Sequence, residues 1–198
     1  MMNKNTGKKN CEGYLDEDDY AKNVVVKNKE IEIPKVYTIY FFHDFDYDAN
    51  KYRPYFEVFE KAKEKDEIVI YFNSPGGSVA TLNMFLNAIS SCKCKNITAR
   101  INHASSAAGI MSLACPNLLF NHCATLMLHA PSTWGLDGKE QELKSYVDHS
   151  VEQSKRMFGH YLKRILSDKE IEEMFNGKEF RFNEIEATKR LKKYSKRK

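Results

Sequence analysis

Two strand–turn–helix segments constrain this chain more than anything else in it. In the first, the apolar run Ile68-Val69-Ile70-Tyr71-Phe72 meets the turn Asn73-Ser74-Pro75-Gly76-Gly77-Ser78, and a helical pattern follows over 79–89 with Leu82, Phe85, Leu86 and Ile89 on one face. A continuous apolar strand is the kind that parallel sheets bury on both faces. In the second, a short strand over 97–101 leads through Ala104-Ser105-Ser106-Ala107-Ala108-Gly109 into a small-residue helix over 106–114. Strands that repeatedly deliver helix N-termini predict an α/β domain with a mainly parallel sheet.

The flanking sequence extends the same pattern. A β-branched and aromatic strand is expected over 36–42, and a helix over 52–65 with Tyr52, Phe56, Phe59 and Ala62 in register. Strands over 118–120 and 125–128 precede a long helix over 139–166. A final helix over 168–175 starts at Ser167, with Glu170 three residues on in capping-box spacing. Residues 1–30 read as a flexible polar arm, acidic around Asp16–Asp19 and carrying a short strand at Val24-Val25-Val26; 31–191 read as the domain, and 192–198 as a basic tail.

At 198 residues the chain can bury one sizeable core. No apolar run reaches the roughly 18 residues of a membrane span, and the first nineteen residues lack the apolar centre of a secretory signal. The five cysteines form no metal-like or redox-like spacing, since Cys92-x-Cys94 lacks the two-residue gap. Reduced thiols in a cytoplasmic protein, with no metal and no cofactor, are expected.

The second turn carries the chemistry. A hydroxyl at a helix N-terminus meets unpaired N–H groups and the positive end of the helix dipole, which suit a developing oxyanion. Ser106 is the candidate nucleophile, and Ser105, one residue away, is its rival. Ala104, Ala107 and Ala108 keep bulk from the approach of a carbonyl. His129 closes the apolar strand Thr125-Leu126-Met127-Leu128 just before Pro131, at a sheet end where ligands gather in open α/β sheets. The other histidines are expected on loops or helices, and His103 is too near Ser106 along the backbone to reach its hydroxyl easily. The Gly76-Gly77 turn can bring its backbone close to a ligand with N–H groups outward. The pattern points to acyl transfer, most often hydrolysis.

With these residues in place, the chain resembles the proteolytic subunit family of the Clp protease, the serine peptidase branch of the crotonase-like fold. The likeness rests on Asn73-Ser74-Pro75-Gly76-Gly77, on Ser106 about thirty residues later, and on the strand ending at His129 and Pro131; it runs from about Ile39 to Leu191. It implies repeated ββα units with a protruding handle helix, Ser106 as nucleophile and His129 as general base. Gly76, Gly77, Ser78 and the Ala107 N–H would form the oxyanion and substrate-binding loop. Leu136-Asp137-Gly138 and the long helix after it would pair two stacked rings. The family's glycines are replaced here by Asn102 before the nucleophile segment and Ala108 after it. Its third catalytic residue, an aspartate, falls near Met174, with Glu173, Asn176 and Glu179 as polar neighbours. Gly177-Lys178-Glu179-Phe180 resembles the corresponding stretch of bacteriophage Clp-like proteins, which points to Glu179 and to a viral homologue in a host cytoplasm. The acidic arm does not resemble the axial loops that grip an ATPase unfoldase.

The leading expectation is therefore a self-assembling serine endopeptidase that cuts peptides or unfolded proteins inside a ring chamber. A catalytically weak assembly or regulatory subunit is the alternative, motivated by the displaced aspartate. A hydratase on the same fold would need paired carboxylates beside the oxyanion loop, and neither motif has one. The basic tail raises nucleic-acid binding, but it is a block of like charge with Tyr194 as its single aromatic.

Overall fold

The computed structural model describes residues 33–132 and 137–194. The polar arm, the strand read at 24–26, residue Leu136 of the handle loop and 195–198 of the tail lie outside the described residues. The elements run β1 (Val36–Phe41), a 3-10 turn (Ala49–Tyr52), α1 (Arg53–Lys61), β2 (Glu67–Ser74), α2 (Val79–Ser91), β3 (Asn96–Ser105), α3 (Ala107–Ala114), β4 (Asn117–Leu128), α4 (Glu140–Leu162), α5 (Asp168–Phe175), β5 (Phe180–Asn183) and α6 (Glu184–Tyr194). This is a mixed α/β fold whose five strands stand in chain order in one sheet. β1 to β4 are parallel, and β5 closes the edge antiparallel to β4.

β2 departs from the two-faced burial that its apolar run predicts. Ile68, Ile70 and Phe72 are wholly buried, while Val69 and Tyr71 are half-buried and the neighbouring Tyr40 is exposed. The reason is that the core builds on one face: Phe41 of β1 meets Phe85 of α2 edge-on, ring centroids 5.3 Å apart, with Phe72 close by. The strands read at 118–120 and 125–128 are one strand, interrupted by a bulge. Between the pairs Ile101↔Phe120 and His103↔Thr125, β4 advances five residues while β3 advances two, and Cys123 takes a positive φ of 59° in the surplus. Bulges of this kind re-aim a strand near its end, and here the re-aimed end carries His129.

The C-terminal part holds two elements that the sequence reading did not predict. Phe180-Arg181-Phe182-Asn183 alternates buried and exposed positions over only four residues, too few to announce a strand. α6 follows it at once, with Ala187 and Tyr194 inward and lysines outward. α4 buries Ser154, Phe158 and Leu162 in its second half, whereas no residue of 140–150 is buried in the single chain.

Candidate active site

The two turns meet at the C-terminal ends of β2, β3 and β4. Ser106 sits between β3 and α3 with φ 55° and ψ −122°. A non-glycine residue in that region stores strain of order 1–3 kcal/mol and persists only where its surroundings enforce it. The enforcement is visible in the backbone. The Ser106 N–H donates to Met127 O at 2.9 Å, extending the β3–β4 ladder one step beyond the pair Ser105↔Met127. His129 follows two residues later on that same strand end. Its Nε2 lies 2.8 Å from Ser106 Oγ. In the neutral ring protonated at Nδ1, Nε2 accepts the hydroxyl proton, the arrangement of a nucleophile with its general base.

The glycine turn is pressed against this pair. A Cβ on Gly76 would stand 2.6 Å from Ser105 O, 2.7 Å from Ser106 Cβ and 2.9 Å from Ala107 N, so only glycine allows the approach. Gly77, at φ 138°, would strike the Phe45 carbonyl at 2.5 Å. Phe45 clamps the turn from its far side: its N–H donates to Gly76 O and its carbonyl accepts from Ser78 N, both at 2.7 Å. In a parallel bridge of this form the Gly77 N–H faces away from Phe45. Ala107 opens α3, and its N–H is among those with no intrahelical partner. Ser74 braces the turn from below, donating to His43 O at 2.7 Å and accepting from Gly76 N at 3.2 Å. A cleft of about 860 Å³ opens beside the glycine turn, lined among others by Gly77, Ser78, Ser132, Asp44, Tyr47 and Lys51. That is room for peptide side chains.

The rival hydroxyl has a different fate. Ser105 is buried at the end of β3 and bonds His103 Nε2 at 3.1 Å, while His103 Nδ1 meets Thr125 Oγ1 at 2.6 Å. His103 therefore lies on a strand, not on a loop or helix as expected, and it occupies Ser105. Ser78 also differs in kind from a ligand-binding hydroxyl: it is the N-cap of α2, accepting from Thr81 N at 3.2 Å.

Glu179 is not brought to the imidazole by a hydrogen bond. It stands just before β5, exposed, with Oε2 2.7 Å from Arg181 Nη2. Among the described residues the His129 ring has Ser106 as its one hydrogen-bond partner. β5 nevertheless runs beside the strand that carries His129, and the pair Leu128↔Phe180, continued one residue, sets Glu179 opposite His129. The other polar neighbours are committed: Glu173 pairs with Lys178, and Asn176 ends α5. Among the described residues no three His, Cys, Asp or Glu side chains converge as a metal site, and no helix is long and apolar enough to cross a membrane.

Phe45, Tyr52 and Ser74 are the supports that sequence reasoning missed. The Tyr52 hydroxyl donates to Asp44 O and accepts from Asp46 N, both at 2.6 Å, which holds the loop that carries Phe45. An aromatic in a helix-spaced row gives no sign of such a role; Ser74 was at least inside the motif.

The family profile described as Clp protease matches residues 45–189. Over 107 residues the chain is 28% identical to the ATP-dependent Clp protease proteolytic subunit 1 of Rhodococcus jostii (strain RHA1), an alignment covering 50% of this chain and 46% of that protein. The chain thus spans about half the length of that relative. The matched residues take in both turns, both members of the hydroxyl–imidazole pair and strands β2 to β5, and membership supports a peptidase role: the chain belongs to the Clp protease family.

Proposed function

We propose that the chain is a serine endopeptidase with Ser106 as nucleophile and His129 as general base. The observation that carries the reading is the 2.8 Å contact of His129 Nε2 with a serine held at positive φ against Gly76. Ser106 Oγ attacks the scissile carbonyl carbon while His129 takes the hydroxyl proton. The oxyanion of the tetrahedral intermediate receives hydrogen bonds from the N–H groups of Gly77 and Ala107. The protonated imidazole then gives its proton to the leaving amine, and water, deprotonated by the same ring, releases the acyl group.

The substrate is a short or unfolded polypeptide, and the particle is a homo-oligomer of stacked rings in which confinement limits access. The first turns of α4, which bury nothing in the single chain and expose Tyr146 and Val147, suit a handle between rings. The place of action is the cytoplasm, that of a host if the chain is viral; an ATPase unfoldase is not required by any residue described. The test is cleavage of an unstructured fluorogenic peptide by the assembled protein, with particle size measured in parallel. Loss of product in Ser106→Ala with unchanged particle size supports the reading; undiminished product overturns it.

A second reading, a weak or regulatory subunit, is favoured by one observation, the pairing of Glu179 with Arg181 instead of with His129. Mutating the acid separates the two. As the orienting residue, Glu179 should cost up to ~10⁴-fold in kcat on change to Gln. Wild-type turnover already at the level of Ser106→Ala establishes the regulatory reading instead.

A further inference from the structure

We infer that Arg164 is a positioning residue for the nucleophile, holding the far end of the helix whose N-terminus carries Ser106 and the Ala107 N–H. This rests on the reading of Ser106 as nucleophile. The guanidinium donates to three carbonyls at the C-terminal end of α3: Nη1 to Leu113 O and, at 2.5 Å, to Cys115 O, and Nη2 to Pro116 O at 2.9 Å. A helix leaves its last carbonyls without intrahelical partners, and α3 ends abruptly because Cys115 is extended and Pro116 cannot continue the helix. One planar fork with fixed donor directions fills that gap.

Arg164 is itself anchored. It lies just past α4, one residue after the helix C-cap Lys163; its N–H donates to Tyr161 O at 3.1 Å, and the wholly buried Ile165 and Leu166 come next in the chain. Among the described residues it has no carboxylate partner. The nearby Cys115 thiol is no counter-ion either, since burial pushes it up to about 12 and it stays neutral. A half-buried cation whose partners are carbonyl dipoles alone is an unusual expense for a simple cap, because capping needs donors and not charge.

Two consequences reach the site. α3 has eight residues, roughly 12 Å of rigid helix, so fixing its carbonyl end sets the rotation and height of its N–H end against His129. The cation also offsets the negative partial charge at the carbonyl end. The positive field at the other end is then less opposed where the oxyanion forms. Both act on the acylation transition state more than on ground-state binding.

The experiment is the inactivation of full-length protein by a fluorophosphonate, resolved into the maximal rate of Ser106 phosphonylation and the half-saturating probe concentration. It is run on wild type, Arg164→Lys, Arg164→Gln and Arg164→Met, each well below its own Tm. The expected result is a maximal rate reduced about 3- to 10-fold in Gln and Met, less in Lys, with half-saturation unchanged within twofold. Equal rates in all folded variants, with only Tm lowered, would show a purely structural cap and overturn the inference; if Met fails to fold, the Gln variant decides by the same criterion. A wild type that is not labelled at Ser106 defeats the nucleophile reading itself, an outcome distinct from equal labelling of all four proteins.

Discussion

Ser78 and Ser106 both stand at the start of a helix that follows a parallel strand, yet they spend their hydroxyls in opposite ways. Ser78 turns its Oγ inward and caps α2 through Thr81 N, and Ser167 does the same for α5 within a complete capping box with Glu170. Ser106 makes no capping bond; its Oγ goes to His129 and its backbone is held at φ 55°. A helix start is ordinarily stabilised by about 1 kcal/mol through such a cap. At Ser106 the chain forgoes that stabilisation and adds strain, and the same step leaves the hydroxyl to His129 and the first N–H groups of α3 without a side-chain cap. The difference teaches that one residue type at one topological position can either finish a helix or be withheld from it to pair with a histidine across the turn.

The largest effect separating the two is on turnover. Ser106→Ala should reduce peptide cleavage by on the order of 10⁴-fold or more and leave Tm nearly unchanged, since alanine keeps the Cβ and the backbone conformation and removes only the hydroxyl. Steady-state kinetics beside a melting curve would break the comparison if activity survived. Next come the glycines that let the turns meet. Gly77→Ala drives a Cβ into the Phe45 carbonyl at 2.5 Å, displacing the adjacent N–H, and should cost about 10²–10³ in kcat with a smaller change in KM. Ser78→Ala is the counterpart of the first substitution: a loss of about 1 kcal/mol in denaturant unfolding, with kcat changed no more than a few-fold.

The smallest effect is seen only in acid. Burial works against ionisation of Glu170, but the Ser167 backbone N–H and then Arg190 outweigh it and hold the carboxyl at about 2, below its ordinary 4.5. A folded-state pKa below the unfolded one means stability present above pH 4.5 and lost as pH falls toward 2. Glu170→Gln should therefore lower Tm at neutral pH and flatten its decline across that window. An unchanged acid limb would mean that the capping box contributes nothing through charge.

Much of this was legible in the sequence, for identifiable reasons. The apolar runs and their turn residues made β1, β2 and the first half of β3 legible with the helices between them, because local pattern and sheet topology agree there, whereas β4 read as two strands because its bulge interrupts the apolar run. Ser106, His129 and Gly76 could be singled out since each lies at the end of such a run. β5 and α6 were not legible: a four-residue strand finds its place through pairing with Thr125–Leu128, a contact separated by some fifty residues of chain. Phe45 contributes by its backbone, which no residue type advertises. His103 was misplaced because β3 continues to Ser105, past a register shift, whereas the sequence reading ended it at 101. Glu179 was chosen by likeness to relatives; it lies one residue beyond the last pair, Leu128↔Phe180, while its side chain answers to Arg181.

The most direct test of the account is to locate the label after brief reaction of the intact protein with a fluorophosphonate, by mass spectrometry of its peptides. The account predicts one phosphonyl group per chain, on Ser106, absent in Ser106→Ala and strongly slowed in His129→Ala. Label on Ser105, or labelling that persists unchanged without His129, would contradict it.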